Sequence, residues 1–538
     1  MKAELNEEKL TSNISPADRS STRKEIISVL VIATALSICA FLYFFNRSMT
    51  NVYGDGVAHA NIARKVVDSP DDSLWQRYIQ IGTPWLPLQT VLMLPLVAND
   101  YSWRTGAAGS IVSMIFYVIT ALSIYKLAVL LYRDEEPRFK KAMPALACAI
   151  FLLNPSALYM QSTPMSELVF MGAVSAAVLF LQRWALDPSL KRLIIAAAIM
   201  TIATLSRYEA WPIAALSVAI VAIIANGNLF EKLKRTSVYA LIVAVGPAYW
   251  LWHNWAIYGN PIEFLTGPHS ARGIFIQNQA NLGWSKIFVG NALLDVLLMS
   301  VTVAVVVGPL LVMLAAAGFI RLILAKRKAL IAYLPCMLLL APFFFHTVSL
   351  YRGEIQIFPL SAFGLLNVRY GLPHLLAAAL FAPAIIPALR RLNKATPVIV
   401  SLIIALQYWF LIHEGPSQIA VYQEGFRNGV NSRPSRVRAR VATFLRKNPP
   451  PPVILMMTGS LGACISQGGL RFSDIIHEGT ARWHQIENAI PADILTIIIE
   501  EDDALEHRIR DNASLTKEFN EGFQQVYSVG RIKIYRRK

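Results

Sequence analysis

The sequence predicts an α-helical polytopic membrane protein of about eleven transmembrane helices with a small C-terminal extracytoplasmic α/β domain. Three observations predict this class. Of 538 residues, 55% are hydrophobic and only 16% are charged, whereas soluble globular chains carry about a quarter. Apolar runs of about twenty residues recur along most of the length, enough to cross roughly 30 Å of hydrocarbon. Beyond residue 416 the chain turns polar, and short strand-like patterns replace the long apolar runs. The formal net charge of +16 is spread over short loops between the apolar runs. That is the pattern of topology signals and headgroup contacts, which excludes nucleic acid as a partner and makes membrane lipids one. The four cysteines lie far apart and form neither a disulfide framework nor a metal-ligand spacing.

Taken in order, residues 1–25 form a polar cytoplasmic leader ending in Arg19, Arg23 and Lys24. The first apolar run, 26–45, is too long for a cleaved signal and lacks a small-residue cleavage site, so it is a retained helix. Further spans are expected near 107–131, 142–160, 166–184, 193–206, 211–226, 238–256, 294–320, 330–346, 371–389 and 397–413, which closes a membrane domain over 26–413. With the N-terminus inside, the inner loops carry Arg133, Arg138, Lys140 and Lys141; Arg183, Lys191 and Arg192; Lys232, Lys234 and Arg235; Arg321, Lys326, Arg327 and Lys328; and Arg390, Arg391 and Lys394. Every one of these loops is short and basic, so the orientation is N-terminus cytoplasmic and C-terminus extracytoplasmic. No internal repeat and no glycine-rich phosphate loop is present.

The first outer loop, 46–105, is long and opens with Tyr53-Gly54-Asp55-Gly56-Val57-Ala58-His59. Asp55 can cap the helix that follows, with His59 one turn further on the same face; a glycine turn with a helix cap is the plainer reading. The apolar piece 84–97 is too short to span, carries three prolines and has Trp85 at its edge, so it is an interfacial or re-entrant segment. In the tail, 414–538, Pro449 to Pro452 make a stiff break after the basic run from Arg433 to Arg440. Strands are expected at 453–457 and 494–499, with a closing hairpin around Gly530 within 523–535.

The polar residues that a membrane protein does not carry idly fall on one side. Glu167 opens a span on the outer side, behind Thr163 as cap and Pro164 at the first helical position. Arg207, Tyr208 and Glu209 join two spans with almost no loop, placing ionisable groups near membrane depth. His269, Arg272, Arg352, Arg369 and Tyr370 lie in the other outer loops. Each has a structural alternative: an ion pair for Arg207 and Glu209, snorkelling to headgroups for Arg352 and Arg369, a loop hydrogen bond for His269, and a solvated or headgroup-facing surface for the Arg433–Arg440 run. Together, an outward carboxylate and several arginines suit transfer of a sugar from a polyprenyl-phosphate-linked donor. Arginines hold the phosphate and steady the charge that departs with it. One carboxylate then takes the proton from the attacking acceptor hydroxyl, and a single displacement inverts the anomeric centre.

The segments Tyr53-Gly54-Asp55-Gly56, Asn154-Pro155 through Pro164-Met165-Ser166-Glu167, Arg207-Tyr208-Glu209 and Asn367-Val368-Arg369-Tyr370-Gly371 resemble the membrane-domain motifs of GT-C-type integral membrane glycosyltransferases. That class includes the protein O-mannosyltransferases, the aminoarabinose transferases of lipid A and the arabinofuranosyltransferases. The resemblance covers about residues 50–410 and implies that Asp55, in the first outer loop, is the catalytic base. The protein O-mannosyltransferases carry an Asp-Glu pair there, whereas Asp55 is followed by Gly56, which removes a second adjacent acid. The candidate substrate-binding residues are His59, Glu167, Arg207, Tyr208, Glu209, His269, Arg272, Arg352, Arg369 and Tyr370. The partners expected are a polyprenyl-phosphate sugar donor and a glycan, lipid or protein acceptor. No cofactor is demanded, and a divalent metal is left open because Asp55 with His59 or Glu167 supplies too few ligands. The setting expected is the cytoplasmic (inner) membrane, with an extracytoplasmic active site. A transporter or lipid-linked-sugar flippase is the alternative; it predicts broken helices and repeat symmetry, which the sequence does not display. A non-catalytic scaffold of cell-envelope assembly, in which Asp55 has no role, is a third class.

Overall fold

The computed structural model describes residues 16–70, 73–278, 283–357, 366–392, 395–413, 418–486 and 489–538. The helices that build the site and its supports are α1 (Pro16–Phe45), α2 (Gly54–Val67), α3 (Leu88–Val97), α4 (Asp100–Thr105), α5 (Ala107–Leu131), α6 (Glu167–Leu186), α7 (Ala210–Ile224), α8 (Ala341–Tyr351), α9 (Ala420–Gly425), α10 (Arg433–Lys447) and α11 (Thr458–Gly468).

Among the described residues, five helical stretches are long and apolar enough to cross a membrane: Arg23–Phe45, Ala107–Leu131, Glu167–Leu186, Leu330–Tyr351 and Val368–Arg390. The apolar pair Ala292–Val307 and Pro309–Ala325 makes a sixth only when counted as one span, and it is bent by 109°. The sequence reading takes 294–320 as one span; the bend arises at Gly308, whose φ of +107° a side chain rarely adopts, with Pro309 starting the next helix. The other expected segments are helices that are shorter, broken or more polar. Pro137–Leu152 ends at Leu152, Asn154 Oδ1 accepts from Ala157 N to cap a new turn, and the residues at 238–256 lie inside the longer helix Leu229–Tyr258. The segments near 193–206, 211–226 and 397–413 appear as Leu190–Thr204, Ala210–Ile224 and Thr396–His413. The result is a helical membrane-protein fold with one continuous apolar interior, centred on α5, α6 and the stretch 368–384.

The tail forms a five-stranded sheet in the order β2-β1-β3-β5-β4. Strand β1 (Ile454–Met456) runs parallel to β2 (Ile475–Ile476) and to β3 (Thr496–Glu500), while β5 (Ile532–Arg537) pairs antiparallel with β3 and with β4 (Phe523–Val529). The β4–β5 hairpin turns at Gly530, which takes φ +61°. Strand β2 escapes the sequence reading because two residues have no period. The sheet and α10 share a core with the 46–105 region: Ala60, Met93 and Trp103 pack in one cluster with Leu445, Cys464, Ile465 and Phe472.

Candidate functional site

Helix α2 starts behind extended Tyr53, and Asp55 lies in its first turn without capping a backbone N–H. An acid there still suits the positive end of the helix dipole. Gly56 is buried, and a Cβ on it would lie 2.9 Å from the Pro164 ring. Gly56 therefore serves close approach rather than unusual φ, because it is helical. The approach brings α2 against the turn 162–166, whose carbonyls are otherwise taken up: Ser110 donates to Ser162 O, Ser113 to Thr163 O and Met165 O, and Gln89 to Pro164 O and Met165 O. The expected Thr163 cap is corrected here. Its hydroxyl donates to Met160 O at 2.6 Å, and α6 starts at Glu167 behind Ser166, with no side-chain cap.

From this turn a charged network extends. The Arg369 guanidinium donates to Asp55 Oδ2 at 2.7 Å and to Glu424 Oε1 at 2.6 Å, and its Nε lies 3.3 Å from Glu167 Oε1. Arg369 N donates to Glu424 Oε2 at 3.2 Å. On the other side of Glu167, Arg207 Nη1 donates to Glu167 Oε1 and to Ser166 Oγ, both at 3.1 Å, and its Nε donates to Glu209 Oε1 at 2.8 Å. His346 Nε2 meets that same Glu209 oxygen at 3.2 Å. The Tyr370 ring lies between the two guanidiniums, 5.5 Å from Arg207 and 5.6 Å from Arg369. Two guanidiniums thus bridge four carboxylates. Their accessibility separates the four: Asp55 keeps 43% of its side chain exposed, Glu167 and Glu424 1% each and Glu209 4%. Asp55 is the carboxylate most open to solvent, and among the described residues its hydrogen bond is made through Oδ2.

His59 lies one turn from Asp55, buried, with its ring 4.7 Å from Trp85 and no partner at Nδ1. Burial pushes its pKa down to about 4, although the Asp55 charge pulls the other way, so the imidazole is neutral. Tyr208 belongs to the aromatic wall: its hydroxyl accepts from Trp250 Nε1 at 3.0 Å and its ring stacks on Phe264. The structure does not bring His269, Arg272 or Arg352 into the network. The first two are exposed, and Arg352 pairs with Glu354 at 2.7 Å.

Sequence reasoning misses Tyr53, His346 and Glu424. Burial drives the Tyr53 hydroxyl pKa well above its usual value, and that hydroxyl donates to Val421 O, fastening α9 to the loop before Asp55. A signal was present for His346, an ionisable residue inside an apolar run. Glu424 follows the last span in a polar stretch, where an acid has no contrast. Among the described residues, no group of three or more His, Cys, Asp or Glu side chains is placed to hold a metal ion. The four acids turn their oxygens to guanidiniums instead.

No protein-family model matches the chain, and no curated protein sequence matches it. Solved structures do. ArnT from Cupriavidus metallidurans, bound to undecaprenyl phosphate, is similar at a TM-score of 0.52 and 14% identity, over 94% of this chain and 97% of that one. The Archaeoglobus fulgidus oligosaccharyltransferase in complex with Zn and sulfate gives 0.46 at 12% identity, over 95% of this chain and 73% of that one. AglB from the same organism, with an inhibitory peptide and a dolichol-phosphate, gives 0.47 at 13% identity, over 96% and 74%. The likeness to ArnT, over 94% of this chain, shows a shared overall fold.

Proposed function

We propose that this chain is a membrane glycosyltransferase that moves a sugar from a polyprenyl-phosphate-linked donor to an acceptor hydroxyl, with Asp55 as the general base and inversion at the anomeric carbon. The observation that carries the reading is the exposed Asp55 carboxylate at the mouth of a buried, arginine-bridged network. The overall fold shared with a structure bound to undecaprenyl phosphate supports the donor class.

In the reaction, Asp55 Oδ1 takes the acceptor proton as the hydroxyl oxygen forms its bond to the anomeric carbon. The bond from that carbon to the phosphate oxygen breaks, and its electron pair leaves with the lipid phosphate. That leaving group is already stable, so the need is for positive charge beside it rather than a strong acid. Arg369 and Arg207 supply this charge, with side chains 11% and 14% exposed. Glu424, Glu167 and Glu209 keep both guanidiniums in place before the donor arrives, so little reorganisation is required. The active site and tail domain face the extracytoplasmic side of the cytoplasmic membrane.

Purified chain in nanodiscs, given a panel of polyprenyl-phosphate sugars and extracted envelope acceptors, should release lipid phosphate in step with product, and the new glycosidic bond should have the opposite anomeric configuration. Retained configuration, or donor movement across vesicles without any new bond, would overturn the reading.

A further inference from the structure

Helix α10 starts at a Ser432 cap with Pro434 in its first turn. At 3.6 residues per turn, Arg433, Arg436, Arg440, Thr443 and Lys447 fall within about 80° of arc, along about 21 Å of helix. All five are exposed, while Val441, Ala442 and Leu445 on the far side are buried. Among the described residues, none of these four cations pairs with a carboxylate; Arg436 donates to Asn431 Oδ1 at 3.0 Å. Phe444, at the edge of the stripe, stacks on Tyr527 at 4.1 Å, and with Arg440, Thr443, Lys447 and Asn448 the pair lines a shallow groove of about 390 Å³. Just before the stripe, Phe426 and Val430 expose apolar surface.

The position of α10 gives the stripe its meaning. At one end, Gly429 closes on Val52 O, seven residues beyond Phe45, where α1 ends. At the other end, Arg446 donates to Gln467 O at 2.9 Å, and Arg104, three residues before α5, donates to the neighbouring Ser466 O and Leu470 O. Thr50 Oγ1 to Thr105 O and Asn51 Nδ2 to Arg104 O tie the tops of α1 and α5 to each other. Helix α10 is therefore fastened at both ends beside the ends of two membrane-length helices.

We propose that the Arg433–Lys447 stripe is a docking surface for anionic phospholipid headgroups, seating the tail domain on the bilayer. Four unpaired cations on one exposed face attract a surface of negative phosphates, and the adjoining Phe426 and Val430 suit the apolar boundary beneath them.

The test uses the full chain in nanodiscs containing phosphatidylcholine with or without phosphatidylglycerol, followed by native mass spectrometry of the lipids retained after release. The wild type should retain phosphatidylglycerol over phosphatidylcholine. Retention should weaken about five-fold for each cation removed in the series Arg436→Gln, Arg440→Gln and Lys447→Gln, and the charge-preserving double control Arg436→Lys with Arg440→Lys should keep it. Should the combined glutamine variant fail to fold, the single variants still give the graded loss. Equal retention in the wild type and the glutamine variants would overturn the proposal. So would a stripe that captures a soluble acidic polysaccharide in a charge-dependent way while leaving lipid retention unchanged.

Discussion

Asp55 and Glu424 accept hydrogen bonds from the same guanidinium, yet their surroundings assign them different work. Glu424 is buried with both oxygens engaged, one by the Arg369 side chain and one by its backbone N–H. Asp55 is half in solvent and uses one oxygen. Burial raises the Glu424 pKa despite the pull of Arg369, a sign that keeping its charge there depends on that partner. Replacing it by Gln removes one partner of a buried ion pair, for which a loss of about 3 kcal/mol is expected. Thermal unfolding of Glu424→Gln in detergent should show that loss, and combining it with Arg369→Gln should cost less than the sum of the two single losses. Additive losses would show that the two residues do not act as a pair. The rule that ionisable groups near apolar runs are costly found Glu167, Arg207, Glu209 and Arg369 in the sequence. It gave no means of ranking the acids by exposure, which is a tertiary property, and it was silent at Glu424.

At the scale of the element, α2 is the part that the rest of the molecule holds. Its first turn meets the 162–166 turn through Gly56, and the loop before it is pressed by Gly425 and Gly429 of the α9 region, where one π-turn follows the helix. The two glycines that flank Asp55 are not equivalent. A Cβ on Gly54 meets nothing within 4 Å, whereas one on Gly56 meets the Pro164 ring at 2.9 Å. Gly54→Ala should leave transfer within about two-fold of wild type, since alanine is the better helix former. Gly56→Ala should lower transfer by at least about ten-fold, because an error of about 1 Å at a reacting group costs more than that. Equal behaviour of the two would contradict this placement of α2. The membrane-length helices were legible because their apolar runs are long. Helix continuity was less so: the break at Gly308 depends on one φ angle, and hydropathy does not register it.

At the scale of the whole molecule, the tail domain and the membrane domain meet on α2. Asn61 Nδ2 donates to Gly462 O at 2.9 Å, Lys65 donates to Thr458 Oγ1, and Phe472 N donates to Asp68 Oδ2 at 3.1 Å. Composition and pattern announced the tail, β1, β3 and the closing β4–β5 hairpin, but not this docking, since no local pattern encodes a contact across some 400 residues. The interface carries a pH signature. Burial holds His477 down at about 3 and His59 at about 4, against an ordinary 6.5. Between those values the unfolded chain binds more protons than the folded one, so stability rises with pH from about 4 to 6.5 and falls on acidification through that window. Thermal unfolding at pH 5 should lie below that at pH 7.5, and His477→Gln should narrow the gap; an unchanged gap would show that His477 does not set it. The central claim concerns Asp55 and is tested most directly by sugar transfer from a polyprenyl-phosphate donor with wild type and Asp55→Asn, each shown to bind donor. Loss of transfer by about 10²–10⁴-fold with donor binding kept is the predicted result; transfer by Asp55→Asn at the wild-type rate would contradict the account.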